Sequence, residues 1–201
     1  MNEGREYRAI RYVDSNGHAE YFTPDGKSLR KAFIRTPVQF SRVSSSFNSA
    51  RKHPILNRIR AHKGVDYAAP TGTAIKAAGD GRVAFVGTKG GYGRVVILEH
   101  GGGVTTLYGH MSRFAANLRN GQRVKQGAII GFVGSSGAAT GPHLHYEYRL
   151  NGVHKNPRTV ALPDAAPIPS EYLSEFQTKS GAFLAKLDRI GAPTVAPLAM
   201  N

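Results

Sequence analysis

Gly141-Pro142-His143-Leu144-His145-Tyr146-Glu147-Tyr148 opens as a turn and continues as a β-strand. Residues two apart on a strand project to the same face, so His143 and His145 stand side by side, about 6–7 Å apart along the backbone at a rise of ~3.3 Å per residue. Two imidazoles on one rigid face offer the nitrogen ligands that a metal site needs. Glu147 shares that face and is a candidate hydrogen-bond partner for such a ligand, although it reads equally well as a surface carboxylate. A His-x-His pair in a strand is more often an ordinary half-exposed pair, so its meaning rests on the rest of the chain.

Outward from this strand, residues 38–156 are strand-rich and punctuated by glycine. Strands are expected at 73–77, 81–88, 94–100, 104–110, 128–134 and 143–150. Turns fall at Gly79-Asp80-Gly81, Gly90-Gly91-Tyr92-Gly93, Gly101-Gly102-Gly103, Asn120-Gly121 and Asn151-Gly152. Short strands with regular turn signals predict an all-β core. Towards the N-terminus, 7–13 and 18–23 read as a β-hairpin around Asp14-Ser15-Asn16-Gly17. Towards the C-terminus, an Ala/Pro-rich linker precedes a helix that Ser170 can cap and Gly191-Ala192-Pro193 can end. Its Leu173, Phe176, Phe183, Leu184 and Leu187 form a stripe that packs on the domain or on a partner. The organisation expected is an N-terminal β extension over 1–37, a main domain over 38–157, and a linker with a C-terminal helix over 158–201.

The chain has 201 residues and no cysteine, so disulfides and thiolate zinc sites are excluded and any zinc must be held by His and carboxylate. Its formal net charge is +14. Ten Lys or Arg and no Asp or Glu lie between Lys27 and Lys63. Such a surface attracts polyanions: nucleic acid, anionic lipid or an acidic wall polymer. No nucleic-acid-binding motif accompanies the charge. The first residues are polar, without a signal peptide, and no apolar run approaches the ~18 residues of a membrane span. The chain is therefore expected to be cytosolic, or a mature or trimmed form of an exported protein.

Two further constellations bear on the His-x-His pair. His62-Lys63-Gly64-Val65-Asp66 places a His and an Asp four apart with a glycine between, so that both can curl towards one point. Tyr108-Gly109-His110 closes a strand. There Tyr108 and His110 are expected to share a face. His62, Asp66 and one histidine of the pair would make a three-ligand nitrogen/oxygen zinc site. A fourth position would be left open, as in catalytic rather than structural zinc. Zinc there would lower the pKa of a water to about 7 and polarise a carbonyl. The other two histidines suit proton transfer and oxyanion stabilisation.

At these residues the chain resembles the lysostaphin-type (LytM-type) zinc metalloendopeptidases. His62-x-x-x-Asp66, Tyr108-x-His110 and Gly141-Pro142-His143-x-His145 match in order and context. So do Gly64-Val65-Asp66-Tyr67-Ala68-Ala69-Pro70-Thr71-Gly72-Thr73, Gly79-Asp80-Gly81-Arg82-Val83 and Gly121-Gln122-Arg123-Val124-Lys125-Gln126-Gly127. The resemblance covers roughly 38–157 and shows no departure at a metal or catalytic position, whereas some relatives have lost ligands and only activate other wall hydrolases. It implies a mainly β fold, a compact antiparallel β-sandwich with a groove over one Zn2+ per chain. It implies His62, Asp66 and His145 as metal ligands, and His110 and His143 as the catalytic pair. The reaction implied is hydrolysis of a peptide bond in peptidoglycan, outside the cytoplasmic membrane.

The hairpin, the basic loop and the C-terminal helix look most like the Gram-negative periplasmic D,D-endopeptidases, which cut the D-alanyl–diaminopimelate crosslink. In that branch Arg58 matches an arginine that can face substrate, and Tyr108 is a second substrate-binding candidate. The expected partners are peptidoglycan and a regulatory or adaptor protein, with no nucleic acid. The expected location is the periplasm or cell envelope, for a chain that is mature or truncated and lacks its signal or anchor. The alternative is a non-catalytic wall-binding or regulatory module of the same fold.

Overall fold

The structure, a computed structural model, describes residues 8–15, 17–39, 42–48 and 61–191, with the side chains of the last two left aside. Arg58 and most of the basic loop lie outside the described residues. The chain divides into two compact units, one made of Ala32–Pro163 and the other of Met1–Lys31 with Asp164–Asn201. Residues 32–163 hold eighteen Lys or Arg against four Asp or Glu, and the other unit holds nine of each. The whole excess of +14 therefore belongs to one unit.

The smaller unit pairs strands β1 (Ile10–Val13) and β2 (Ala19–Phe22) as an antiparallel hairpin. The helix α1 (Ser170–Gly191) belongs to the same unit. Tyr12, Phe22, Ile168 and Phe176 form its core. Phe176 is fully buried and meets Tyr12 and Phe22 edge to face, at ring centroid distances of 5.7 and 5.8 Å. Such aromatic pairs add about 0.5–1.5 kcal/mol beyond the area they bury. The expected apolar stripe is thus only partly used, since Phe183 and Leu187 stay exposed.

The larger unit is antiparallel β throughout. It contains β3 (Arg42–Ser45), β4 (Val65–Ala68), β5 (Ala74–Lys76), β6 (Gly81–Thr88), β7 (Arg94–Glu99), β8 (Val104–Phe114), β9 (Arg123–Val124), β10 (Ile129–Val133), β11 (His143–Leu150) and β12 (Val153–Lys155). The main path runs β3-β4-β11-β8-β7-β6-β9, with β12 beside β11 and β10 joined to both β5 and β8. The mainly β fold with one C-terminal helix agrees with the sequence reading. Alternation decides what each strand buries. Val65 and Tyr67 of β4, and Leu144, Tyr146 and Tyr148 of β11, enter one core with Ile75, Val96, Leu98, Met111 and Ile130. Asp66, His143, His145 and Glu147 are left on the opposite face of the same strands.

β8 is longer than the expected 104–110, and its two halves have different partners. Residues 104–109 pair with β11, while residues 111–114 pair with β10. Between them His110 takes φ 60°, unusual for a residue other than glycine. The register against β7 also shifts here. Such an irregularity bends a strand and re-aims its side chains.

Candidate metal and catalytic site

β4 and β11 are adjacent, and their register sets Asp66 opposite His145 and Ala68 opposite His143. His62 arrives just ahead of β4, held by a two-way backbone pairing with Asn48 at 3.0 and 2.8 Å. Gly64 allows this entry. A Cβ there would sit 2.6 Å from the Tyr146 carbonyl and 2.7 Å from the His145 ring, so only glycine lets the chain cross so close.

Three donor atoms converge. His145 Nδ1 lies 2.7 Å from Asp66 Oδ1, His62 Nε2 lies 3.1 Å from the same oxygen, and the two ring nitrogens are 3.3 Å apart. Ligands held at about 2.0–2.1 Å around a tetrahedral zinc are themselves ~3.3 Å apart, so the triangle fits the donor set of such an ion. Among the described residues, His62, Asp66 and His145 form the group able to hold a metal.

The remaining ring nitrogens fix the tautomers. A carbonyl or carboxylate can only accept, so each outer nitrogen facing one donates. His62 donates Nδ1–H to the Ser46 carbonyl at 2.8 Å, and His145 donates Nε2–H to Glu147 Oε1 at 3.1 Å. The inner nitrogens, His62 Nε2 and His145 Nδ1, face the Asp66 carboxylate, and a metal at the common point would take the place of the protons they share with it. This is the usual arrangement of a metal-ligating histidine, whose second N–H is tied to a carbonyl or carboxylate. Burial works against the charged Asp66 carboxyl, but hydrogen bonds from His145 and His62 outweigh it and hold the group well below the carboxylate range.

His110 and His143 face each other with ring centroids 4.6 Å apart. His110 donates Nδ1–H to the Ser136 carbonyl and His143 donates Nδ1–H to the Gly141 carbonyl, both at 2.8 Å. In its neutral form each ring keeps a lone pair on Nε2, and His143 Nε2 lies 3.8 Å from Asp66 Oδ1. Burial pushes the His110 pKa down, favouring the neutral ring.

Glu147 is no surface carboxylate. It is 1% exposed and accepts from five donor atoms. Tyr92 Oη lies 2.8 Å and His145 Nε2 3.1 Å from Oε1; Arg149 Nε lies 2.9 Å and His154 Nε2 3.1 Å from Oε2, where the second Arg149 nitrogen also binds. Burial would raise its pKa, but the bonds from His145, Arg149 and Tyr92 outweigh that and hold it at about 2. On His145 burial likewise opposes the charge, yet Asp66 and Glu147 push its pKa up to about 9. Burial and the Glu147 carboxylate push the Tyr92 hydroxyl up to about 12, so it stays a donor.

The structure therefore brings His62, Asp66, His145, His110 and His143 together. Tyr108 is a correction to the sequence reading. It is fully buried in the core, its hydroxyl accepting the Ala78 N–H at 2.8 Å and the Thr106 hydroxyl at 2.9 Å. The expectation that Tyr108 and His110 share a face fails because the left-handed backbone at His110 breaks the two-residue alternation there. Gly109 instead is the residue opposite His145. Sequence reading missed Tyr92, Arg149 and His154. Arg149 could have been found, since it continues the even-spaced set of 143, 145 and 147 on β11. Tyr92, in a 3-10 turn, and His154, opposite Arg149 on β12, come from separate elements that carry no local signal.

Known proteins share sequence and fold with this chain. Residues 60–157 match the model of peptidase family M23. The peptidoglycan DD-endopeptidase ShyC of Vibrio cholerae is 43% identical over 189 residues, which are 94% of this chain and 42% of that protein. The chain thus spans less than half the length of this curated relative. Among solved structures, a zinc-containing peptidase from Vibrio cholerae superposes with a TM-score of 0.64 at 32% identity, over 77% of this chain and 47% of that one. The catalytic domain of the prophage-encoded M23 protein EnpA from Enterococcus faecalis, in a variant form, superposes with a TM-score of 0.55 at 41% identity, over 65% of this chain and 98% of that domain. On sequence and fold together, the chain belongs to peptidase family M23.

Proposed function

We propose that this chain is the catalytic part of a zinc metalloendopeptidase that hydrolyses peptide crosslinks of peptidoglycan, of the D-alanyl–diaminopimelate kind, in the periplasm or cell envelope. One observation carries the reading. Three ligand atoms from two strands and a loop meet at one point, while both imidazoles spend their outer N–H on an acceptor. His62 Nε2, Asp66 and His145 Nδ1 would hold one Zn2+. Zinc bound there supplies Lewis acidity, polarising a peptide carbonyl and making a water acidic near neutral pH.

The chain's own groups do the rest. One neutral imidazole of the His110–His143 pair takes the proton of the attacking water at Nε2. The other, in its protonated form, donates from Nε2 to the oxygen of the carbonyl under attack. As the C–N bond breaks, the proton held by the first ring passes to the leaving amine. General acid–base groups of this kind contribute about 10²–10⁴-fold. The ShyC name supports the substrate, and all five groups standing together favour catalysis over a wall-binding role. Among the described residues no helix is long and apolar enough to cross a membrane.

The test is to incubate crosslinked muropeptides with the zinc-loaded chain and with a His110→Ala variant. Cleavage by the first alone is expected. A fully zinc-loaded chain that leaves the crosslinks intact would overturn the proposal.

A further inference from the structure

The face that carries the histidines continues to the edge of the sheet. β3 ends the main strand path, and its Arg42 pairs with Ala68, which in turn pairs with His143. Directly opposite residues on paired strands project to the same face. Arg42, Ala68 and His143 thus form one row across three strands, and Ser45, Asp66 and His145 form the next. A bulge between Val43 and Ser45 makes this possible. Residues three apart on a regular strand face opposite ways, but the extra residue turns Arg42 and Ser45 to the same side. The neighbours confirm the orientation: Val43 packs against the core, while Ser45 Oγ lies 3.3 Å from His62 Nδ1. With strands ~4.8 Å apart, the Arg42 and His143 backbones are about 10 Å apart.

Arg42 is exposed, and no carboxylate among the described residues pairs with it. The larger unit has few to offer. Of its four acidic residues Asp66 and Glu147 are consumed in the site, Asp80 lies 3.9 Å from Lys125, and Glu99 is on β7 opposite Arg82. A guanidinium with no carboxylate partner among the described residues, on the rim of a catalytic face, is built for a planar anion.

We infer that Arg42 is a specificity residue that binds a free carboxylate of the peptide substrate, about two to three residues of extended chain from the bond under attack at ~3.3–3.6 Å per residue. The inference rests on the proposed peptidase activity and deepens it. It selects anionic peptides over neutral ones at a defined point, whereas the overall charge of the unit only attracts them.

The experiment measures KM and kcat for the wild-type chain, Arg42→Gln and Arg42→Lys on a crosslinked muropeptide dimer. Two further dimers carry either the terminal carboxylate or the diaminopimelate carboxylate as an amide. Zinc content and thermal midpoint are recorded for each protein. Losing a charge-assisted bond should raise KM by about tenfold to a hundredfold in Arg42→Gln, with zinc content unchanged and the effect falling on KM more than on kcat. Arg42→Lys should recover part of the loss. On one of the two amidated dimers the wild type and Arg42→Gln should become equal, which identifies the carboxylate. An unchanged KM for Arg42→Gln, or an equal loss on all three dimers, overturns the inference. Should the wild type cleave none of them, the peptidase reading fails. Affinities for the same dimers, measured by calorimetry, then decide Arg42 by the same criteria.

Discussion

His143 and His145 are two residues apart on one strand and point the same way, yet the protein treats them differently. His145 is fixed at both nitrogens by carboxylates, Asp66 on one side and Glu147 on the other. His143 is fixed at one nitrogen by a backbone carbonyl, and its other nitrogen stands 3.8 Å from Asp66. A ligand must keep one tautomer and one orientation. A proton carrier must take up and release its proton freely, which two flanking carboxylates would resist. The difference in partners is what separates the two proposed roles.

Zinc affinity is the readout that grades this comparison. His145→Ala should weaken it most, by roughly a thousandfold, since one ligand of three carries about 4 of the ~10–16 kcal/mol of a protein zinc site. Metal analysis after dialysis checks it, and stoichiometric zinc in the variant would remove His145 from the ligand set. Glu147→Gln comes next. It keeps the shape but replaces the carboxylate that receives His145 Nε2–H, and a loss of about 10–100-fold is expected by chelator competition. An unchanged affinity would mean that His145 holds its orientation without Glu147.

Tyr92→Phe removes one of the bonds to Glu147 Oε1 and should cost about 1 kcal/mol, a several-fold loss of zinc affinity. A loss as large as that of Glu147→Gln would show that Tyr92 governs the network. His143→Ala should leave zinc affinity unchanged while turnover falls about 10²–10⁴-fold. Equal zinc loss in His143→Ala and His145→Ala would erase the division of roles. Finally, Phe176→Ala strips the core of the smaller unit, a change that typically costs about 3–5 kcal/mol, and should leave zinc affinity as it was. Thermal unfolding and zinc titration on the same sample separate the two effects.

How much of this could be read from the chain depends on the interaction involved. β6 and β11 have the boundaries expected from alternation and glycine turns, because both signals are local. The short β4, β9 and β12 carried no period long enough to detect. β8 outran its expected end because nothing in Tyr108-Gly109-His110 announces a left-handed histidine, and the same omission misplaced Tyr108. Glu147 was ambiguous for a related reason. An alternating polar residue on a strand looks solvent-facing until another element covers it.

The order and spacing of the histidines, the odd-numbered face of β11 and the absence of thiolate ligands follow from sequence alone, since strand geometry and side-chain chemistry need no tertiary information. Which histidine faces which acceptor does not. The register of β4 against β11 chose Asp66 for His145, and the packing of Tyr92, Arg149 and His154 made Glu147 a buried acceptor. The bulge in β3 turned Arg42 towards the site. Each of these depends on contacts between residues distant in the chain, whose energies exist only once the sheet has closed.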